Sequence, residues 1–349
     1  ARFAAACETA FVRVESPDTA DEAVRRAFYL AKLELRPVML SAPVDVQTMS
    51  CDDDEPYRPA AALFPRHAVY PHPDALRQAA EIIAASRKPV IVVGQGAMWS
   101  GAGDAVIKLA NRIGALISTT LRAKDWLAEA EYHVGVSGQY STRTAMQLFD
   151  EADCVIGIGA SLNRYTTMQG FLYQHAKYIH VDCKPHVMMG GGHAADCHVQ
   201  SDARIGAEAL ESLLGKRSFN MVGYRTPEVK ERLLHHFDDT TEYPAEPGCV
   251  DPRQVCLALD EMIATDIPLL AGSSGTSTGF ATMLCHRPRP LALSGLYFGC
   301  IGQMLPAAMG AVAARGNKPA VLIEGDASTM MHLSDFDTVV RYGMPLLVV

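Results

Sequence analysis

Residues 320–349 read AVLIEGDASTMMHLSDFDTVVRYGMPLLVV, and this stretch decides the fold. The run Ala320-Val321-Leu322-Ile323 is a short apolar strand, and Gly325-Asp326-Ala327-Ser328 turns sharply off its carboxyl end. A helix with Ser334 as its N-cap follows, then a second apolar strand from Pro345 to Val349. Strand, glycine-containing turn, helix and strand make a βαβ unit, and open parallel sheets bind ligands at the carboxyl ends of such strands. An Asp in that place suits a metal-bound phosphate, because its carboxylate is a hard oxygen ligand for Mg²⁺ and nearby backbone N–H groups can face phosphate oxygens. Gly-Asp turns at strand ends are common, so this spacing alone leaves the phosphate role open.

Two further turns lie upstream. Asp251-Pro252 starts a helix running to Met262. The strand Ile267–Leu270 then ends in Ala271-Gly272-Ser273-Ser274-Gly275-Thr276-Ser277. Small residues with free N–H and hydroxyl groups make this turn competent for phosphate, and a plain Ser or Thr helix cap is the other reading. The third turn, Gly299-Cys300-Ile301-Gly302, stands before a helix containing Leu305-Pro306-Ala307-Ala308.

Residues 74–215 alternate β and α elements: a helix over 74–86, the strand Val90–Val93, a loop over 94–101, a helix over 104–113 and a strand over 115–119. A helix near 142–150, strands Cys154–Ile158 and Tyr178–Val181 and a helix over 203–214 complete the set. That alternation predicts an α/β domain, a parallel sheet with helices on both faces. Gly94-x-Gly96 lacks the third glycine of a dinucleotide fingerprint, Trp99 standing in its place, and reads as a tight turn. Residues 1–48 offer one helix after the capping box Thr19-x-x-Glu22 and one strand over 37–41, too little to bury both apolar faces. Residues 49–73 and 216–250 are connectors, the first acidic and proline-rich. The second carries an amphipathic helix, Pro227–Phe237, whose His235 and His236 are expected on the surface.

The chain has 349 residues, 49% of them hydrophobic and 20% charged, ordinary values for a soluble α/β protein of several domains. A net charge of −8 without a basic run argues against nucleic acid as a partner, and no apolar stretch reaches membrane-spanning length. Nine scattered cysteines fit reduced thiols in the cytoplasm better than a disulfide framework. Cys183, His186, His193, Cys197 and His198 are acceptable zinc ligands, but their spacing matches no tight pattern.

The three turns, taken in order, resemble those of thiamine diphosphate enzymes in the acetolactate synthase and pyruvate decarboxylase superfamily. Gly325-Asp326-Ala327-Ser328 resembles that family's Gly-Asp-Gly-Ser, with Ala327 in place of a glycine, so a mildly strained turn is expected. Gly275-Thr276-Ser277 resembles a Gly-Thr-Ser element that contacts the diphosphate. Gly299 and Ile301 match a Gly-x-hydrophobic-Gly turn in which the glycine carbonyl meets the aminopyrimidine and the apolar residue holds the cofactor bent. The resemblance thus implies that Gly275, Thr276, Ser277, Gly299, Ile301, Gly325, Ala327 and Ser328 bind thiamine diphosphate and that Asp326 holds Mg²⁺.

By the same resemblance, residues 1–48 are the end of a pyrimidine-binding domain, 74–215 a central Rossmann-like domain and 251–349 the first part of the diphosphate-binding domain. In acetolactate synthase the central domain holds FAD partly through an arginine. Here that run reads Gly159-Ala160-Ser161-Leu162-Asn163, so FAD has no support. The family's activating glutamate and its asparagine metal ligand have no match in these residues, so no catalytic residue is assigned. The stretch alone is expected to be inactive. The complete protein is expected to be a cytoplasmic homodimer or homotetramer that decarboxylates or ligates a 2-oxo acid. The alternative is a nucleotide-binding or scaffolding α/β protein without catalysis.

Overall fold

A computed structural model describes residues 1–34, 36–51, 56–63, 68–185, 194–216, 223–238, 241–242, 246–273, 275–289, 292–294 and 299–349, with the backbone alone at 275–277 and 292–294. The chain forms two units, Ala1–Ala68 and Val69–Val349. In the first, β1 (Ala10–Arg13) pairs in parallel with β2 (Val38–Ser41), Ala10 opposite Val38. The helix Ala20–Glu34 buries Ala23 and Ala27 against Val12, Val14 and Val46, while Phe28, Leu33 and Leu40 remain exposed. The cap of this helix differs from the sequence reading. Ser16 forms the capping box, pairing with Thr19 across the turn Pro17–Thr19, so the Thr19 hydroxyl is already engaged one turn before the helix proper.

Among the described residues the second unit contains two parallel sheets. The larger has the order β5-β4-β3-β6-β7-β8, built from β3 (Pro89–Val93), β4 (Leu116–Thr119), β5 (His133–Val136), β6 (Cys154–Ile158), β7 (Lys177–Asp182) and β8 (Cys197–Gln200). Every residue of β3, β4 and β6 is buried. Alternate side chains go to opposite faces, as the pleat demands. Ile91, Ile117, Ile156 and Ile158 pack under the helices Pro73–Ala85, Gly103–Ile113 and Ala203–Lys216. Val90, Val92, Leu116 and Val155 pack with Leu148, Phe149, Tyr173 and Tyr224 on the other side. The predicted α/β class, a parallel sheet with helices on both faces, is what the chain forms. The edge strands β5 and β8 had no counterpart in the sequence reading, because each mixes His with Gly or Gln and carries no apolar run. The predicted loop after β3 holds a short helix, Gln95–Trp99.

The smaller sheet has the order β10-β9-β11-β12, from β9 (Leu269–Ala271), β10 (Ala292–Ser294), β11 (Ala320–Ile323) and β12 (Leu346–Val348). The helix Met304–Ala314 sets Leu305, Ala308 and Val312 against Leu270, Ala320 and Leu322. On the opposite face the helices Pro252–Met262 and Gly275–Leu284 bring Cys256, Ala281 and Leu284 onto Leu269, Ala271 and Ile323. Asp251 caps the Pro252–Met262 helix by accepting from the Arg253 N–H. Among the described residues no helix is long and apolar enough to cross a membrane.

Candidate functional site

The three turns singled out in the sequence meet at the carboxyl edge of the smaller sheet. β9 and β11 are neighbours, so the segments leaving them run side by side. The Gly272 N–H donates to the Ile323 carbonyl at 2.8 Å, and the space a Cβ would need at Gly272 is filled by the Glu324 carboxylate. From the β9 turn, the Ser273 hydroxyl donates to the Cys300 carbonyl at 2.5 Å. From the β11 turn, the fully buried Ser328 accepts the Gly302 N–H at 2.6 Å. The middle turn is therefore tied on one side to β9 and on the other to β11. Its shape depends on two glycines, with φ of 79° at Gly299 and 89° at Gly302, values that side chains with a Cβ rarely adopt. Between them Ile301 presents an apolar side chain that is 42% exposed.

Gly325 caps a short helix, Asp326–Met330, that starts directly off β11. The Asp326 carboxylate is exposed and its Oδ1 accepts the Ala327 N–H at 2.7 Å. Ala327 corrects one expectation: it lies inside this helix and is not among the residues of positive φ, so alanine introduces no strain there. Ser334 takes the predicted N-cap position. It precedes the helix Asp335–Arg341, but its side chain makes no cap hydrogen bond, and His332 Nδ1 pairs instead with Asp335 Oδ2 at 3.0 Å. Gly275 opens the helix that follows β9. The side chains of Thr276 and Ser277 lie outside the described ones.

Two residues at this edge escaped the sequence reading. Glu324 is 7% exposed, and its Oε1 accepts the Gly325 N–H at 3.3 Å. A carboxylate continuing a strand that is buried at every position was the available signal. His332 packs its ring edge against Gly302, the Cδ2 carbon 2.8 Å from where a Cβ would sit. Its signal was helical spacing, four residues beyond Ser328.

The larger sheet offers a contrasting edge. Strand order reverses between β3 and β6, the switch point at which such sheets hold ligands. There the Gly94 N–H donates to the Ile158 carbonyl and the Gly96 N–H to the Gly159 carbonyl, each at 3.0 Å. A Cβ on Gly94 would lie 2.2 Å from the Gly159 oxygen. The donors a diphosphate would take are engaged already, in keeping with a tight turn. Leu162 and Asn163 stand in the run that replaces the family's arginine. Leu162 is buried, and Asn163 Oδ1 accepts the Tyr165 and Thr166 N–H groups.

Of the zinc candidates, 186–193 lie outside the described residues. Cys197 is buried in β8, where burial pushes its thiol up to about 11. Among the described residues no group of three or more His, Cys, Asp or Glu could hold a metal. Mg²⁺ needs less from the protein, one or two carboxylates being enough when phosphate oxygens complete the shell, and Asp326 fits that demand. His236 corrects another expectation: His235 is exposed, but His236 is 8% exposed and its ring packs on Phe237. Burial, then the neighbouring His286, holds the His236 imidazole down to about 4. His133 is half-buried with its Nε2 sealed, and burial followed by His236 holds it down to about 3.

Two parallel sheets flanked by helices, the second with three turns gathered at its carboxyl edge, define an α/β protein. The family model for the central domain of thiamine pyrophosphate enzymes matches residues 76–213, and that for their C-terminal TPP-binding domain matches 273–349. The chain belongs to the thiamine diphosphate-dependent enzyme superfamily and is acetolactate synthase-like. A probable acetolactate synthase large subunit of Methanocaldococcus jannaschii is 27% identical over 96% of this chain and 58% of its own length. The acetolactate synthase large subunit of Parasynechococcus marenigrum is 28% identical over 96% of the chain and 54% of its own. For the isozyme 2 large subunit of Escherichia coli the values are 27%, 90% and 55%. The chain thus spans little more than half the length of these relatives.

Proposed function

We propose that the polypeptide carrying this chain uses thiamine diphosphate and Mg²⁺ to decarboxylate or ligate a 2-oxo acid, as the names of its relatives suggest. The observation that carries this reading is the linkage of three turns through Ser273–Cys300 and Gly302–Ser328 at one sheet edge. Thiamine diphosphate, when bound, supplies the electron sink for loss of CO₂ from the 2-oxo acid. The protein's part is to hold and orient. Asp326 would ligate Mg²⁺ through its exposed carboxylate. Gly275, Thr276, Ser277, Gly325 and Ala327 would lie along the diphosphate, with Ser328 fixing the turn from beneath. Gly299 and Ile301 would hold the cofactor bent, removing the entropic cost of that conformation before reaction.

In this reading the residues form a pyrimidine-domain end over 1–48, a central domain over 74–215 and part of the diphosphate domain over 251–349. The nine free thiols support a cytoplasmic setting, and a homodimer or homotetramer is the expected assembly. In this reading no glutamate of this stretch is assigned the activating role, and the 349 residues by themselves are expected to bind cofactor weakly and not to turn over.

The test is calorimetric titration of the full-length polypeptide with thiamine diphosphate, with Mg²⁺ or with excess chelator, beside assays of CO₂ release from pyruvate. Mg²⁺-dependent binding and turnover are expected, and Asp326→Asn should weaken binding by about a hundredfold. Preferential, Mg²⁺-independent binding of ADP, NAD or FAD would overturn the reading in favour of a nucleotide-binding protein.

A further inference from the structure

Beyond the turns themselves, a buried ion pair joins the larger sheet to the helix that follows β9. β4 ends in the turn Leu121–Ala123, and the next two residues are Lys124 and Asp125. Their side chains are 10% and 11% exposed. The Lys124 ammonium donates to Asp125 Oδ1 at 2.7 Å, to Asp125 Oδ2 at 2.6 Å and to the Cys285 carbonyl at 2.6 Å. An ammonium has three protons, so all are accounted for.

Cys285 directly follows the helix Gly275–Leu284, and its N–H donates to the Ala281 carbonyl. The Cys285 carbonyl is thus one of the last in that helix, without an acceptor role inside it, and a cation there also suits the negative end of the helix dipole. A helix behaves as a rod, about 1.5 Å long per residue. Holding one end fixes where the other points. The other end is Gly275, two residues after Ser273, whose hydroxyl reaches Cys300 and through Gly302 connects to Ser328. The exit of the helix has a second hold within the smaller sheet's own layer, where Asp260 Oδ2 accepts the His286 and Arg287 N–H groups and Oδ1 pairs with Arg289. That hold travels with the smaller sheet. The Lys124 contact originates in the larger one.

We propose that Lys124 is a positioning residue for cofactor binding: reaching from the larger sheet, it fixes the Gly275–Leu284 helix so that the turns at its far end meet the diphosphate. This rests on the functional reading above. It gives the central domain a task in catalysis without any ligand of its own.

The experiment uses the full-length polypeptide and thiamine diphosphate with Mg²⁺. Lys124→Met should raise the Kd and the cofactor KM about tenfold, the loss of one charged hydrogen bond transmitted through the helix, with kcat at saturating cofactor changed less than about twofold. Removing lysine alone leaves Asp125 buried without its partner, and the variant can fail to fold. Lys124→Met with Asp125→Asn removes both charges together and should show the same split. Lys124→Gln, whose amide can still donate to the Cys285 carbonyl, should fall between wild type and Lys124→Met. A purely structural role would lower the melting temperature without separating KM from kcat. A folded double variant with wild-type Kd and KM overturns the inference. Absence of binding by the wild type instead overturns the functional reading, and the inference with it.

Discussion

The two sheets of the second unit share one architecture and begin their carboxyl edges alike, Gly94 donating to Ile158 and Gly272 to Ile323, but differ in the turns beyond. In the larger sheet the switch-point turn is closed on itself: Gly94 and Gly96 donate to the neighbouring strand end, and Gly159 lies in direct contact with both. In the smaller sheet three turns are tied together through side chains, Ser273 reaching Cys300 and Ser328 reaching Gly302. An exposed Asp326 and a partly exposed Ile301 are left at the surface of that edge. Backbone-to-backbone closure makes a rigid core element. Side-chain ties make a shaped surface. The comparison teaches that a ligand-competent edge is found by asking which turns leave their polar groups available, because strand order alone marks both sheets.

The harshest way to break the comparison is to insert a side chain into the closed edge. Gly159 has a φ of 57°, and a Cβ there would lie 2.3 Å from the Ala97 nitrogen. Gly159→Val should cost more than ~4 kcal/mol and abolish cooperative unfolding in denaturant titrations monitored by circular dichroism. Acid should come next. His133 and His236 titrate at about 3 and about 4, below the ordinary histidine value of 6.5. Both are neutral in the folded protein, whereas the unfolded chain takes up protons once pH drops below ~6.5. Their stabilisation is therefore present above that pH and is lost as pH falls toward 4. The expected loss between pH 7 and pH 5 is about 2 kcal/mol for each histidine, roughly 4 kcal/mol together, read from urea midpoints, and His236→Gln should flatten the profile. An unchanged midpoint over that range would exclude both histidines as the source.

The open edge should respond more mildly. Ser328→Ala leaves the buried Gly302 N–H without its acceptor, a cost of about 1–2 kcal/mol. Amide hydrogen exchange should speed up at Gly302 while the β3 and β6 amides remain unchanged, and exchange rising equally everywhere would mean the two edges are not independent. The smallest effect is expected at Ala327. Because it is helical, Ala327→Gly should destabilise by ~0.5–1 kcal/mol, where relief of strain would have stabilised. Thermal melts of the pair decide the sign.

Much of the architecture was legible because apolar runs are a strong signal. Val90–Val93, Cys154–Ile158 and Ala320–Ile323 are buried at every position and could be read directly. β5 and β8 could not, since an edge strand needs no continuous apolar run and theirs include His133, Gly135 and His198. His236 was misplaced for a related reason. A helix continued to Phe237 left both adjacent histidines at the surface, but the chain leaves the helix at Leu234, and His236 turns inward onto Phe237 and toward Gly135. Thr19 was misassigned because Ser16 competes for the same capping role one turn earlier.

The sequence by itself determined the alternation of strand and helix, the parallel sheets that follow from it, and the small-residue turns at 272–277, 299–302 and 325–328. These depend on local periodicity and on the conformational freedom of glycine, both written in neighbouring residues. Tertiary structure decided which turns touch. Ser328 bonds to Gly302, Glu324 fills the space beside Gly272, and Lys124 reaches Cys285, each contact joining residues far apart in the chain. Such pairings follow from strand order and packing, and a hydrogen bond between distant residues leaves no pattern in either local segment.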